Sequence, residues 1–316
     1  MTLQQLRQVL TIAESNSMNE AAKKLFVSQP NLSATVREVE EELGITVFMR
    51  NNRGITVTAE GEEFLGYAKQ VVEQYHLLEN RYLNVESKKK FSVSMQHYSF
   101  AVKAFVQLAK EVGMDEYEFA VHETKTKEVI DNVKNLKSEI GVLYLSDFNE
   151  KVLRKLFKEC DIEFKELFTC NTYVYLWKKH PLAGQKEITL DDLQEYPCLT
   201  FEQGVNNSFY YAEEMMSTYE YKRVIKADDR ATMLNLMVGL NGFTLCSGII
   251  SEDLNGDDYA AIPLKESEKM HIGYIKHKGT KLSKLGEIYI DALKNYENKV
   301  CLLYTSPSPR DRTRSR

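Results

Sequence analysis

Apolar positions recur at helical spacing through the first ninety residues, then change at Phe91 to short alternating runs. Leu3, Leu6, Leu10 and Ala13 stripe a first helix to about Glu14, opened by a Thr2/Gln5 capping box. Met18, Ala21, Ala22 and Leu25 stripe a second, short helix with Ser17 as N-cap and Glu20 as its capping-box partner. Leu32, Val36, Val39 and Leu43 give a third helix its buried stripe. Ser28 is its N-cap, Pro30 sits in the tolerant first turn, and Gly44 stops it. The tight turn between the second and third helices predicts a helix-turn-helix. Two β-prone runs around Asn51-Asn52-Arg53-Gly54 predict a hairpin, which makes residues 1–58 a winged helix-turn-helix.

The stripe leaves Gln29, Asn31, Ser33, Ala34 and Arg37 outward on the first two turns of the third helix. Short polar groups with one arginine suit a major groove, where base edges and phosphates are met together. An ordinary helical hairpin with solvated faces is the alternative. The turn residues Arg50 and Arg53 are placed to reach a backbone or a minor groove, or are simply an exposed basic turn.

Thr58 caps a long helix expected to run to about Lys88, where Lys88, Lys89 and Lys90 suit its C-terminal dipole; residues 59–90 form a linker. Phe64, Ala68, Val71, Tyr75, Leu78, Tyr82 and Val85 are spaced alternately four and three apart. So narrow a seam predicts a dimerising coiled coil.

From Phe91, strands and helices alternate. The runs 91–95, 118–122 and 140–145 read as strands, with helices over 100–112 and 125–137 between them: a βαβαβ unit with a parallel sheet. Further strands are expected at 162–168, 172–177, 198–201, 221–227, 243–247, 259–263 and 270–276. Helices are expected at 208–218, 231–238 and 283–296. So many strands call for two lobes, the first spanning 91–165 and 270–300, the second 166–269. The fold class is thus α/β, with an α-rich winged helix-turn-helix ahead of a two-lobed α/β domain over 91–300.

Composition narrows the reading. The 316 residues are 43% hydrophobic, as in a soluble globular protein, and no run of eighteen apolar residues suggests a membrane span. The polar start lacks a secretory leader pattern, so a cytoplasmic protein is expected, nucleoid-associated in a bacterium if the helix-turn-helix reads DNA. Five cysteines without CxxC spacing read as reduced thiols, and six histidines without HxxxH spacing give no zinc site. No metal and no cofactor is expected. Net charge is −5, and residues 1–58 balance six Lys and Arg against six Glu. DNA binding therefore rests on placement, with Arg37, Arg50 and Arg53 supplying phosphate contacts and Glu38–Glu42 lying away from the groove. Residues 301–316 lack periodicity, carry four arginines in the last seven positions, and read as a disordered, non-native tail.

The run AAKKLFVSQPNLSATVREVEEELGITVFMRNNRGITVTAEGEEFL resembles the signature of the LysR-type transcriptional regulators almost position by position. That family often has arginine where Ala34 stands and phenylalanine where Val9 stands. The likeness continues more weakly to about Val300, through HPLAG, LNLMVGLNGFTLCSG and SKLGEIYIDAL. It implies a dimerising linker helix, an effector domain like the periplasmic binding proteins, and a homodimer or homotetramer on AT-rich double-stranded DNA near promoters. A small-molecule effector would act in the inter-lobe cleft, with RNA polymerase a candidate partner. Carried over residue by residue, the DNA readers are Ser28, Gln29, Pro30, Asn31, Ser33, Ala34, Thr35 and Arg37, with Arg50 and Arg53 in the wing.

In a two-lobed α/β domain, ligands sit at the carboxyl ends of strands against helix N-termini. The first lobe offers Gln96, His97, Tyr98 and Ser99 and then Glu123, Thr124, Lys125 and Thr126 there, and the second Phe201, Gln203, Asn206, Asn207 and Thr244–Gly248; Gln96, Tyr98, Ser99, Thr124, Thr126, Phe201, Asn207 and Thr244 are the candidate contacts. These groups suit a small carboxylate or another polar metabolite, although capping alone also explains Ser99 and Thr124. An enzyme would need more: Cys246 with His97 can be imagined, but GxSxG, HExxH and GxGxxG are all missing. A solute-binding module fits residues 91–300 and leaves 1–90 without a purpose.

Overall fold

The computed structural model describes residues 1–15, 17–51, 54–82, 88–113, 116–206, 208–250 and 252–296, with the backbone alone at Arg50, Asn51, Gly54, Leu77, Asn80, Arg81, Tyr82, Glu252 and Asp253. Arg53, Val85, Asn207 and the tail lie outside the described residues. The chain divides into two compact units, Met1–Lys88 and the remainder from Lys89.

In the first unit, α1 (Leu3–Ala13), α2 (Met18–Lys24) and α3 (Gln29–Leu43) precede a hairpin of β1 (Phe48–Asn51) and β2 (Gly54–Val57), then α4 (Ala59–Tyr82). The Thr2/Gln5 capping box forms, and Ser17 and Ser28 cap α2 and α3. Val9, Ile12, Ala21, Leu32, Val39 and Val47 make one core. The α1 stripe is wider than its Leu-based reading, because Leu6 faces the other way, onto Ala68 and Val72 of α4. Leu43, expected inside, is 38% exposed in the last turn of α3.

The second unit opens on β3 (Lys89–Met95), so Lys89 and Lys90 start a strand and do not end the linker helix. There follow α5 (Ser99–Val112), β4 (Tyr117–Glu123), α6 (Thr126–Lys134), β5 (Ile140–Leu145), α7 (Glu150–Glu159) and β6 (Ile162–Asn171). After β7 (Tyr173–Trp177) come α8 (Leu190–Leu193), β8 (Cys198–Phe201), β9 (Val224–Ala227), α9 (Arg230–Leu240), β10 (Thr244–Cys246) and α10 (Glu252–Asn255). The chain continues with β11 (Tyr259–Pro263), β12 (Lys269–His277) and α11 (Lys284–Lys294).

The large sheet runs β4-β3-β5-β12-β6, parallel among the first three strands, with β12 antiparallel to both of its neighbours. Phe100, Leu108, Tyr289 and Leu293 of α5 and α11 pack on one face. Val129, Val133, Leu153 and Phe157 of α6 and α7 pack on the other. A smaller sheet, β10-β7-β11, and the parallel pair β8-β9 build the second lobe. Asn171 still pairs with Lys269. The chain therefore leaves the large sheet beyond Asn171, later than the start of the second lobe at residue 166 expected from the strand pattern.

Two local readings fail. Helix α7 escapes the hydropathy pattern, because its buried stripe is only Leu153 and Phe157 among charged positions. Residues 208–218, expected as a helix, form only a 3₁₀ turn at Phe209–Tyr211, since Glu213 and Glu214 are drawn into bonds with distant residues. Tertiary bonds here override local propensity.

Candidate nucleic-acid interface and effector cleft

The first two turns of α3 present a polar, accessible face. Ser28, Pro30, Asn31, Ala34 and Arg37 are exposed, and Gln29, Ser33 and Thr35 are half-buried. Two bonds on this face stay within the helix: Gln29 Nε2 donates to Ser33 Oγ at 2.9 Å, and Thr35 Oγ1 donates to Asn31 O at 3.2 Å. Both are exchangeable for a base edge without disturbing the core. Gly44 takes φ +68° to stop the helix, a conformation that disfavours any side chain.

The acidic run has work that its composition hides. Glu40 Oε1 accepts from the backbone N–H of Val47 and Phe48 at 2.7 and 3.0 Å, tying the entry to the wing to the recognition helix. Glu38 accepts from Gln5, and Glu42 holds the N-terminal ammonium. The wing forms with Arg50 opposite Ile55.

On α4 the proposed seam divides. Ala68 is buried against α1, and Phe64 packs inward beside it. Val71, Tyr75 and Leu78 stay exposed, together with Tyr67, which the heptad count omits. The seam thus straddles two faces, one already taken by α1. Tyr75 also lies under the Arg7 guanidinium, 5.3 Å from its ring centre. The Tyr82 side chain and Val85 are outside the described residues.

In the second unit, a cavity of about 90 Å³ lies between the lobes. Tyr98, Ser99, Phe201 and Thr244 line it, as the strand-end reading expects. Gln96, Thr124 and Thr126 do not. Gln96 Nε2 donates to Thr126 Oγ1, and Gln96 Oε1 accepts from the Tyr98 hydroxyl at 2.8 Å, so this pair is internal framework. Thr124 donates to Glu128. Nor does Ser99 cap α5, whose cap position is Tyr98.

The other wall joins the strand-end residues His97, Phe201 and Gln203 to Glu213 and Glu214, which position in the chain does not disclose. His97 stacks on Phe201 at 3.7 Å, nearly parallel, and its backbone N–H and ring Nδ1 reach Glu213 Oε2 at 2.9 and 2.8 Å. Glu213 Oε1 accepts from Gln203 Nε2 at 2.9 Å, while Gln203 Oε1 accepts from Thr126 N–H. Glu214 Oε1 accepts from Phe201 N–H at 2.8 Å. Burial, with Glu213 adjacent, pushes the Glu214 carboxyl up to about 8, so it is neutral at pH 7. Thr244 Oγ1 is buried without a partner, a donor left for something in the cavity. Tyr175, Met233, Leu245 and Ile249 supply an apolar wall.

Cys246 and His97 do share this cavity. Burial pushes the Cys246 thiol up to about 12, so it is not a thiolate near neutrality, and His97 Nδ1 is engaged by Glu213. Among the described residues, no three His, Cys, Asp or Glu side chains form a metal-binding group, and no helix is long and apolar enough to cross a membrane.

The HPLAG and LNLMVGLNGF motifs, far apart in sequence, meet in space. His180 Nε2 lies 3.0 Å from the carbonyl of Asn241, whose side chain accepts from Trp177 Nε1 at 2.8 Å. Asn241 is left-handed at the end of α9, which fixes the turn into β10.

A winged helix-turn-helix with an accessible polar recognition face, joined to a two-lobed α/β domain with a cleft, defines a DNA-binding transcriptional regulator with an effector-binding domain. Residues 3–62 match the family model "bacterial regulatory helix-turn-helix protein, lysR family", and residues 96–297 match "LysR substrate binding domain". The chain belongs to the LysR family. It is 25% identical over 308 residues to the Bacillus subtilis regulator CysL, covering 93% of this chain and 98% of that one. It is 30% identical over 214 residues to the B. subtilis dual regulator GltC, covering 65% of this chain and 66% of GltC. Among solved structures, a full-length OxyR variant from Pseudomonas aeruginosa shares the fold with a TM-score of 0.68 at 19% identity, covering 93% of this chain and 95% of that one. The regulator CbnR in complex with its target DNA does so with a TM-score of 0.56 at 17% identity, covering 93% and 99%.

Proposed function

We propose that this regulator reads promoter DNA through the N-terminal half of α3, with Gln29 and Ser33 at base edges and Arg37, Arg50 and Arg53 on phosphates. It acts as a dimer, or a dimer of dimers, held by the exposed side of α4. The observation that carries the reading is the accessible polar face that starts at the Ser28 cap, on a helix whose other face is locked in the core. Recognition helices of paired protomers then meet half-sites about one turn, ~34 Å, apart. Footprinting tests this: discrete half-site protection is expected, and uniform, sequence-independent protection contradicts it. Leu78, 56% exposed, is where the partner helix is expected. Leu78→Glu should give monomers by light scattering, because a buried unpaired charge is costly.

The cavity takes the small effector. The unpartnered Thr244 hydroxyl and the apolar lining together suit a compact molecule with a polar or anionic head. Ser99→Trp should fill the cavity, abolish the response to effector and leave basal operator binding unchanged. By linkage, the effector shifts DNA binding only by its differential affinity for the two cleft geometries.

A further inference from the structure

Two ion pairs of opposite sense cross the edge of the cleft. Glu123, ending β4 in the first lobe, pairs with Arg230 in the first turn of α9 in the second. Lys125 reaches Asp228 at 3.5 Å. Arg230 borders both Glu123 and the cavity, which Glu123 itself does not line. The Arg230 side chain is only 20% exposed, so its charge is poorly served by solvent. Around the same cavity stand further donors. Thr244 Oγ1 is buried and unpartnered, and α5 starts there with no side-chain cap for its first amides. Glu213 is engaged by His97 and Gln203, and Glu214 is neutral at pH 7.

We propose that Arg230 is the specificity-determining cation of the cleft, and that Glu123 stands in for the anionic group of the effector until the effector takes the guanidinium over. This rests on the cavity being the effector site. It names the ligand class: a small organic anion with an apolar body, its head between Arg230 and Thr244 and its body against Tyr175, Phe201 and Ile249. It also supplies a means of regulation, because capture of Arg230 releases the Arg230–Glu123 pair that joins the lobes.

The test uses the full chain, calorimetric titration, and benzoate against its uncharged counterpart benzamide. Glu123→Gln should bind benzoate several-fold tighter than the unaltered protein, since the competing carboxylate is gone. Arg230→Gln should lose about tenfold or more and cease to distinguish benzoate from benzamide, as expected for a lost charge-assisted bond. Arg230→Lys should keep the preference. If Arg230→Gln retains the benzoate preference while Ser99→Trp abolishes binding, the cleft is the site and Arg230 does not select for charge. If neither the unaltered protein nor Glu123→Gln prefers benzoate, the proposal is overturned. Benzoate binding undiminished in Ser99→Trp would instead overturn the placement of the effector in the cavity.

Discussion

On α3, Gln29 and Ser33 bond each other four residues apart and remain within reach of solvent; in the cleft, His97 and Glu213 bond across 116 residues and are almost wholly buried. Both regions present polar groups for recognition, yet they are held in place differently. The α3 face rests on a helix whose apolar side is already packed, so its polar groups contribute little to stability. The cleft wall is itself part of the framework between the lobes, through Glu213, Gln203 and Thr126. Recognition and folding are therefore separable in the first region and entangled in the second.

The strongest challenge to that contrast is Glu213→Ala. It removes the acceptor for two His97 donors and for Gln203 at once, inside the protein. The loss should be ~3–5 kcal/mol in urea denaturation, the range for breaking a buried charged network from one side. A loss under ~1 kcal/mol would show that the wall is not framework.

Next is the neighbouring carboxyl. The folded state raises Glu214 from the usual 4.5 to about 8. Between those values the folded protein keeps a proton that the unfolded chain has released, so stability falls as pH rises through the window and levels off above about 8. Its contribution is complete below about pH 4.5. Glu214→Gln keeps an acceptor for Phe201 N–H and cannot ionise. It should match the unaltered protein near pH 4 and be more stable by ~4 kcal/mol near pH 8. Parallel denaturation profiles at the two pH values would contradict the assignment.

Gln29→Ala probes the other region. Discrimination at one base pair should drop by ~1–3 kcal/mol in competition binding. Stability should move by less than ~0.5 kcal/mol, as for a surface position. A change in melting without a change in base preference would reverse the contrast between the two regions.

The same difference in sequence distance governs what can be read without coordinates. The caps at Thr2, Ser17 and Ser28, the stop at Gly44 and the stripe of Leu32, Val36 and Val39 are local, and they yield the helix-turn-helix directly. Glu213, Glu214 and Arg230 are not legible in this way: their partners lie far along the chain, with Arg230 and Glu123 separated by 107 residues. Gln96 and Thr126 show the opposite error, since both occupy strand-end or helix-start positions yet bond each other. The heptad on α4 misleads at Phe64 and Ala68 because spacing states a period and says nothing of which partner, α1 or a second copy, covers each face.

The smallest expected effect lies in the turn between α2 and α3. There Phe26 has φ +54° and is 96% exposed. Val27 N–H bonds Ala22 O at 3.0 Å and Phe26 N–H bonds Lys23 O at 3.3 Å. Those two bonds are the Schellman pattern, with Phe26 where glycine is usual. A side chain in this conformation costs roughly 1–2 kcal/mol in backbone sterics, and the exposed ring recovers little of it by packing. Phe26→Gly relieves the strain, while the added freedom of glycine in the unfolded chain takes back ~0.5–1 kcal/mol. The net expectation is stabilisation of up to ~1 kcal/mol by thermal denaturation, with base preference unchanged. If the substitution leaves stability alone and weakens operator binding, the ring belongs to the DNA interface, and the recognition surface extends past the Ser28 cap into the turn.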